Sequence, residues 1–230
     1  MNAPEHVRLT GIRAAIIDLD GTMLHTAPDF HVAVNRMRSD LGLEPIDIET
    51  IMLFVGKGTE NLMRRVLGVD YESEDVEKHY PRALDSYQQH YLSINGDYST
   101  LYPDVREGLE ALRAKGLRLA CVTNKPIAFA APLLEKAGLS GYFDIVYGGD
   151  SLPKKKPDPY PLLKVCEDFG LRPEQVVAIG DSSNDAQAAR AAGCWVLNVP
   201  YGYNHGEPIH SVDSDGIVST LLEAAHLISA

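Results

Sequence analysis

Apolar residues gather along the 230-residue chain into short unbroken runs. Residues 14–18, 117–123, 176–180 and 194–199 form four of them, and residues 143–147 a weaker fifth. A strand covered on both faces is apolar throughout, whereas a half-exposed one alternates, so these runs predict buried strands. Helix-like stretches lie between the later runs. Residues 104–115 follow Pro103 and end at Gly116, and residues 127–137 begin beside Pro126 and stop at Gly138. Residues 159–169 stop at Gly170, and residues 185–192 at Gly193. Proline at the first turn and glycine just past the last is the asymmetry of helix ends. Repetition of strand, helix and strand predicts an α/β chain with a parallel sheet and right-handed crossovers.

Residues 26–100 break this rhythm. They hold no long apolar run, and Val76, Tyr80, Leu84, Tyr87 and Tyr91 recur at helical spacing. Pro81 in that stretch must kink the helix or start a new one. Six of the eleven tyrosines fall between Tyr71 and Tyr102, which reads as the packing of a small helical core. The expected organisation is a discontinuous sheet core, residues 1–25 and 101–230, with a helical module of residues 26–100 inserted after the first strand. That tyrosine-rich face can pack internally or against a partner, so it leaves oligomeric state open.

Composition narrows the partners. Lys and Arg number 21 against 32 Asp and Glu, a formal charge of −11. Phosphate backbones need a basic face, so nucleic acid is not expected as the partner. No run of eighteen apolar residues is present, so no membrane span is expected either. Cys121, Cys166 and Cys194 have no metal-ligand spacing and read as small buried apolar residues in a reducing compartment. Residues 1–13 lack the apolar core of a signal peptide, so the expected location is cytoplasmic.

The chemistry gathers at strand ends. The first strand closes in Asp18-Leu19-Asp20-Gly21-Thr22. Residues two apart in a strand point to the same side, about 7 Å apart, so Asp18 and Asp20 are presented together. The carboxyl end of a strand is also where open α/β sheets bind ligands. One carboxylate can attack while the other handles a proton, or both can hold a cation. Alone, Asp-x-Asp-Gly is a common turn. The second long run ends in Thr123-Asn124 at a helix start, where hydroxyl, amide and free N–H groups suit an anion. Lys154-Lys155-Lys156-Pro157 then supplies cations in an acidic protein, with Lys156 favoured because Pro157 stiffens its backbone. The strand at 176–180 delivers Asp181, with Asp185 in the first turn of the next helix. Carboxylates converging in this way repel unless a cation sits among them. All-oxygen donors suit a hard ion, and Mg²⁺ binds through few carboxylates plus phosphate.

Together these motifs resemble the haloacid dehalogenase superfamily of phosphohydrolases. Asp18-Leu19-Asp20-Gly21-Thr22 is similar to its first motif, Thr123-Asn124 to its second, Lys156 to its third and Gly180-Asp181-Ser182-Ser183-Asn184-Asp185 to its fourth. The superfamily's helical cap falls between the first two motifs, so the resemblance implies a Rossmann-like parallel sheet core with an inserted α-helical cap domain. It narrows to the phosphoglycolate phosphatase family. Gly56-Lys57-Gly58 with Leu62-Met63-Arg64-Arg65 looks like that family's cap loop and helix. Residues 201–209, Tyr-Gly-Tyr-Asn-His-Gly-Glu-Pro-Ile, are similar to its segment after the last core strand. Two departures border the pocket: Lys57 replaces a short polar residue, and His25-Thr26 replaces an Asp-Ser pair.

The resemblance implies Mg²⁺-dependent hydrolysis of a small phosphorylated metabolite through an aspartyl-phosphate, with 2-phosphoglycolate as the leading substrate. In that scheme Asp18 attacks, and Asp20 protonates the leaving alcohol before taking a proton from water. Asp18, the Asp20 carbonyl and Asp181 hold the ion, Asp185 steadies it or Lys156, and Thr123, Asn124 and Lys156 hold phosphoryl oxygens. Lys57 is either a solvated loop lysine or the partner of the substrate carboxylate. The alternatives are broader sugar-phosphate hydrolysis and a β-phosphoglucomutase-like phosphomutase. A dehalogenase is disfavoured by the second carboxylate, Asp20. A noncatalytic phospho-binding module is disfavoured by the complete set of acidic and basic groups.

Overall fold

The computed structural model describes residues 8–229. The first seven residues of the stretch behind the signal-peptide reading lie outside them. Six strands form one parallel sheet: β1 (Ala14–Ile17), β4 (Arg118–Val122), β5 (Ile145–Tyr147), β6 (Val176–Gly180), β7 (Trp195–Asn198) and β8 (Gly216–Ile217). Their spatial order is β5-β4-β1-β6-β7-β8, so the first strand lies in the middle. Register aligns the strand ends. Ile17 pairs with Cys121 on one side and with Ile179 on the other. The carboxyl ends of β1, β4 and β6 therefore lie level, and Asp18, Thr123 and Asp181 emerge side by side.

Alternate strand residues enter two different cores, as a period of two requires. Ala15, Ile17, Leu119, Cys121, Val177 and Ile179 pack with α5 (Val105–Ala114), α6 (Ile127–Lys136) and α9 (Leu221–Leu227). Ala14, Ile16, Ala120, Val122, Val176 and Ala178 pack with α7 (Tyr160–Phe169) and α8 (Ser183–Ala192). Helices on both faces are why the strands read as unbroken apolar runs. All three cysteines are buried and unbridged, as expected. Among the described residues no helix is long and apolar enough to cross a membrane.

The chain leaves the sheet through β2 (Leu24–His25) and returns through β3 (Thr100–Leu101), which pair antiparallel. Between them lie α1 (Ala27–Asp40), α2 (Ile48–Phe54), α3 (Thr59–Leu67) and α4 (Ser73–Ile94). These helices enclose a core of their own, with Phe30, Met37, Ile51, Met63, Tyr87 and Tyr91 buried in it. Pro81 does not start a new helix: α4 continues through it. Pro81 and Glu77 are both exposed, so water can meet the carbonyl that the missing N–H leaves free. The tyrosines divide, because Tyr87 and Tyr91 are fully buried while Tyr98 is exposed. Three two-residue strands, β2, β3 and β8, are too short to leave an apolar run. The fifth strand starts at Ile145 because a 3₁₀ turn, Ser140–Tyr142, takes up the chain before it.

Candidate active site

The turn after β1 is wound tightly. The N–H groups of Met23 and Leu24 both donate to the Leu19 carbonyl, at 3.0 and 3.1 Å. Gly21 takes φ +84° there, and a Cβ on it would run into the Asp181 carboxylate. Gly202 meets the same obstacle from the other side. The space around Asp181 thus depends on two residues without side chains. Asp181 itself accepts from the Thr22 hydroxyl at 3.2 Å and from the Tyr203 backbone N–H.

Asp185 lies in the first turn of α8, where a capping box holds it. Its Oδ2 accepts from the Ser182 N–H at 3.2 Å and the Ser182 hydroxyl at 2.7 Å. Its Oδ1 accepts from Lys156 Nζ at 2.6 Å. The same ammonium reaches Asp18 Oδ1 at 2.8 Å and donates to the Val122 carbonyl at 2.7 Å. Lys156 therefore joins three of the four strand-end motifs, and its three donors are all engaged.

Oxygens of Asp18, Asp181 and Asp185 lie within 4.8 Å of one another. Burial pushes the Asp18 carboxyl up to about 7 against the pull of Lys156, with Asp185 and Asp20 adding to the rise. Burial also lifts Asp181 well above the carboxylate range, reinforced by Asp185 and Asp18. For Lys156 burial acts downward, but Asp18 and Asp185 outweigh it and raise the ammonium above its ordinary value. Three crowded carboxylates around one ammonium would carry a surplus of negative charge if all were ionised, and the raised Asp18 and Asp181 record that strain. The donors are all oxygen, and a hard divalent cation such as Mg²⁺ fits that set.

A cavity opens above these groups, bounded by the sheet ends below and by Phe30, Val55, Gly56, Leu62 and Tyr87 of the helical module above. Thr123 and Asn124 both line it. The Asn124 amide donates to the carbonyls of Gly56, at 3.0 Å, and Lys156, at 2.8 Å. Its side-chain hydrogens thus hold the 56–58 loop and the lysine loop in this arrangement. Asn184 Nδ2 also points to the Gly56 carbonyl, at 3.3 Å. Lys57 is the candidate that the fold does not bring to the carboxylates. It is exposed and borders an outer cleft with Lys154 and Lys155, whereas its glycine neighbours face the cavity.

Lys125 carries no distinguishing mark of its own in the sequence. Only 5% exposed, it reaches Asp20 Oδ1 at 2.9 Å and lies 4.3 Å from the Phe30 ring centroid and 4.7 Å from that of Tyr91. Its signal was adjacency to Thr123-Asn124, but the rings around it come from a distant part of the chain. Tyr203 carries none either. Its hydroxyl accepts from the Ala27 N–H at 2.9 Å while its own N–H serves Asp181, so it ties the carboxylate cluster to the start of α1.

The family described as haloacid dehalogenase-like hydrolase matches residues 12–193. The chain belongs to that family. As one of these hydrolases it is similar to the phosphoglycolate phosphatase of Nitrosospira multiformis, 52% identical over 94% of this chain and 96% of that protein. The phosphoglycolate phosphatase of Thiobacillus denitrificans is 47% identical over 95% of this chain and 96% of its own length. A crystal structure described as a predicted phosphoglycolate phosphatase from Haemophilus somnus superposes with a TM-score of 0.89 at 34% identity, covering 95% of this chain and 99% of that one.

Proposed function

We propose that this hydrolase cleaves a small phosphomonoester, 2-phosphoglycolate foremost, through an aspartyl-phosphate. The observation that carries the reading is the buried cluster of Asp18, Asp181 and Asp185 around the Lys156 ammonium. Asp18 attacks phosphorus as the bond to the ester oxygen breaks, and Asp20 gives that oxygen its proton. Asp20 then takes a proton from water, which attacks the phosphorus of the aspartyl-phosphate and frees Asp18 and phosphate. Asp18, the Asp20 carbonyl and Asp181, with Asp185 beside them, would hold Mg²⁺, which would supply positive charge to offset repulsion between carboxylate and phosphoryl oxygens. Thr123 and the backbone at Asn124 hold phosphoryl oxygens, and Lys156, exchanging its contact with Asp18 for one with the transferred group, holds another. Lys125 keeps Asp20 aimed at the leaving oxygen.

Residues 26–100 serve in this reading as a cap over a core of residues 1–25 and 101–230. The Gly56 carbonyl, gripped by Asn124 and Asn184, closes the site against water. Lys57, Lys154 and Lys155 draw an anionic metabolite of the cytoplasm to the outer cleft. The test is phosphate release from 2-phosphoglycolate and several sugar phosphates, with and without Mg²⁺. A Mg²⁺-dependent preference for phosphoglycolate, abolished in Asp18→Asn, is expected. Sugar phosphates ahead would discard the substrate and keep the chemistry, and release by Asp18→Asn would sink the covalent scheme.

A further inference from the structure

Lys125 and Tyr87 line the cavity, and in the scheme above neither touches the phosphoryl group. Lys125 is buried, and its ammonium lies between the Asp20 carboxylate and the rings of Phe30 and Tyr91. Tyr87 lines the same cavity from α4, is fully buried, and has a hydroxyl with no hydrogen-bond partner among the described residues. Leaving a buried hydroxyl unpaired is costly, so such a group in a cavity wall marks a place for an acceptor. Burial, with Asp20 and Asp29 adding to it, holds this phenol well above its ordinary titration range. It stays a neutral donor.

Geometry says what the acceptor is. The oxygen protonated by Asp20 is the one that joins phosphorus to the leaving group, so the leaving group's first carbon lies beside Asp20. A substituent on that carbon is then within the neighbourhood of Lys125, which touches Asp20 directly. Phe30, Val55, Leu62 and Phe129 give the cavity apolar wall, Phe30 directly against Lys125. An ammonium and a phenol donor beside apolar surface select an oxyanion.

We infer that Lys125 and Tyr87 form the subsite for a carboxylate carried on the leaving group, one carbon from the ester oxygen. This rests on the phosphomonoesterase reading and deepens it, because it moves carboxylate recognition from the exposed Lys57 to two buried residues. Phenol and ammonium together discriminate by penalty as well as by attraction. A neutral substituent in their place leaves the ammonium with Asp20 as its one charged partner and offers the phenol a weaker acceptor, so the analogue is bound less well.

The experiment compares kcat/KM for 2-phosphoglycolate with that for 2-hydroxyethyl phosphate, which carries CH₂OH in place of the carboxylate. It uses the parent protein, Tyr87→Phe, Lys125→Met and Lys57→Ala, each with Mg²⁺. The parent should prefer the acid. Tyr87→Phe should cut that preference about tenfold, chiefly through KM, and Lys125→Met should abolish it. Because each figure is a ratio within one variant, a general loss of activity from a displaced Asp20 cancels. Retention of the full preference by Tyr87→Phe, with a changed melting temperature, would mean that its hydroxyl serves only a buried water and would overturn the subsite. So would collapse of the preference in Lys57→Ala alone. A parent with no preference for the acid overturns the phosphoglycolate reading itself, and the subsite with it.

Discussion

Burial lifts the Asp18 carboxyl from 3.8 to about 7, and this sets how the metal-free protein responds to pH. An acid held protonated by the fold stabilises it fully below the unfolded value, and that contribution is lost as pH rises through the folded value. Asp181 shifts in the same direction. The melting temperature of the metal-free protein should therefore fall between pH 5 and pH 8, as scanning calorimetry in chelator would record. The stabilising shift on adding Mg²⁺ should be larger at pH 8, where the carboxylates are ionised. Asp18→Asn removes one of the crowded charges, so without metal at pH 8 it should melt no lower than the parent. At this scale the four aspartates were legible because each sits at a fixed offset from a strand end. Lys125 was not, since its meaning comes from Asp20, Phe30 and Tyr91, which lie at least 34 positions away. Tyr203 was not either, because its partners Asp181 and Ala27 lie 22 and 176 positions away.

Secondary-structure elements were legible where their physics is local. The run at 176–180 coincides with β6, and the helix at 127–137 ends one residue past α6. Continuous apolar runs and Gly-terminated helices depend only on neighbours in the chain. The two-residue strands do not, because their pairing partners are supplied by tertiary structure. The junction of the helical module shows this most clearly. Asp29, fully buried in α1, accepts from the N–H groups of Gly96 and Tyr98, each at 2.8 Å, and from the Ser99 hydroxyl. Asp29→Ala leaves two backbone donors unpaired and should destabilise the protein by about 1–3 kcal/mol, read by urea unfolding. Faster amide exchange at Gly96 and Tyr98 should accompany it. Gly202→Ala tests another contact between elements, because a Cβ there meets Asp181. Weakened Mg²⁺ binding is expected by calorimetric titration, and parental affinity would contradict the crowding argument.

Across the whole molecule, the 56–58 loop of the helical module is held on the sheet ends by Asn124 and Asn184. Asn184→Ala should raise hydrogen exchange at residues 55–58 while the central strands stay protected. Equal protection of the loop in both proteins would show that this amide does not hold it. The sequence by itself determined the α/β architecture, the inserted helical segment and the acidic strand ends, because burial periodicity, helix-end chemistry and strand-end spacing are all local. Only the tertiary structure decided which lysine lies inside. Lys57, Lys125 and Lys156 look alike along the chain, each beside a glycine, an asparagine or a proline in a loop. Lys156 is enclosed by Asp18 and Asp185, Lys125 by Asp20 and two aromatic rings, and Lys57 is left in water. The difference arises because a buried ammonium needs partners, and those partners are assembled from distant segments by the register of β1 between β4 and β6 and by the helices folded over them.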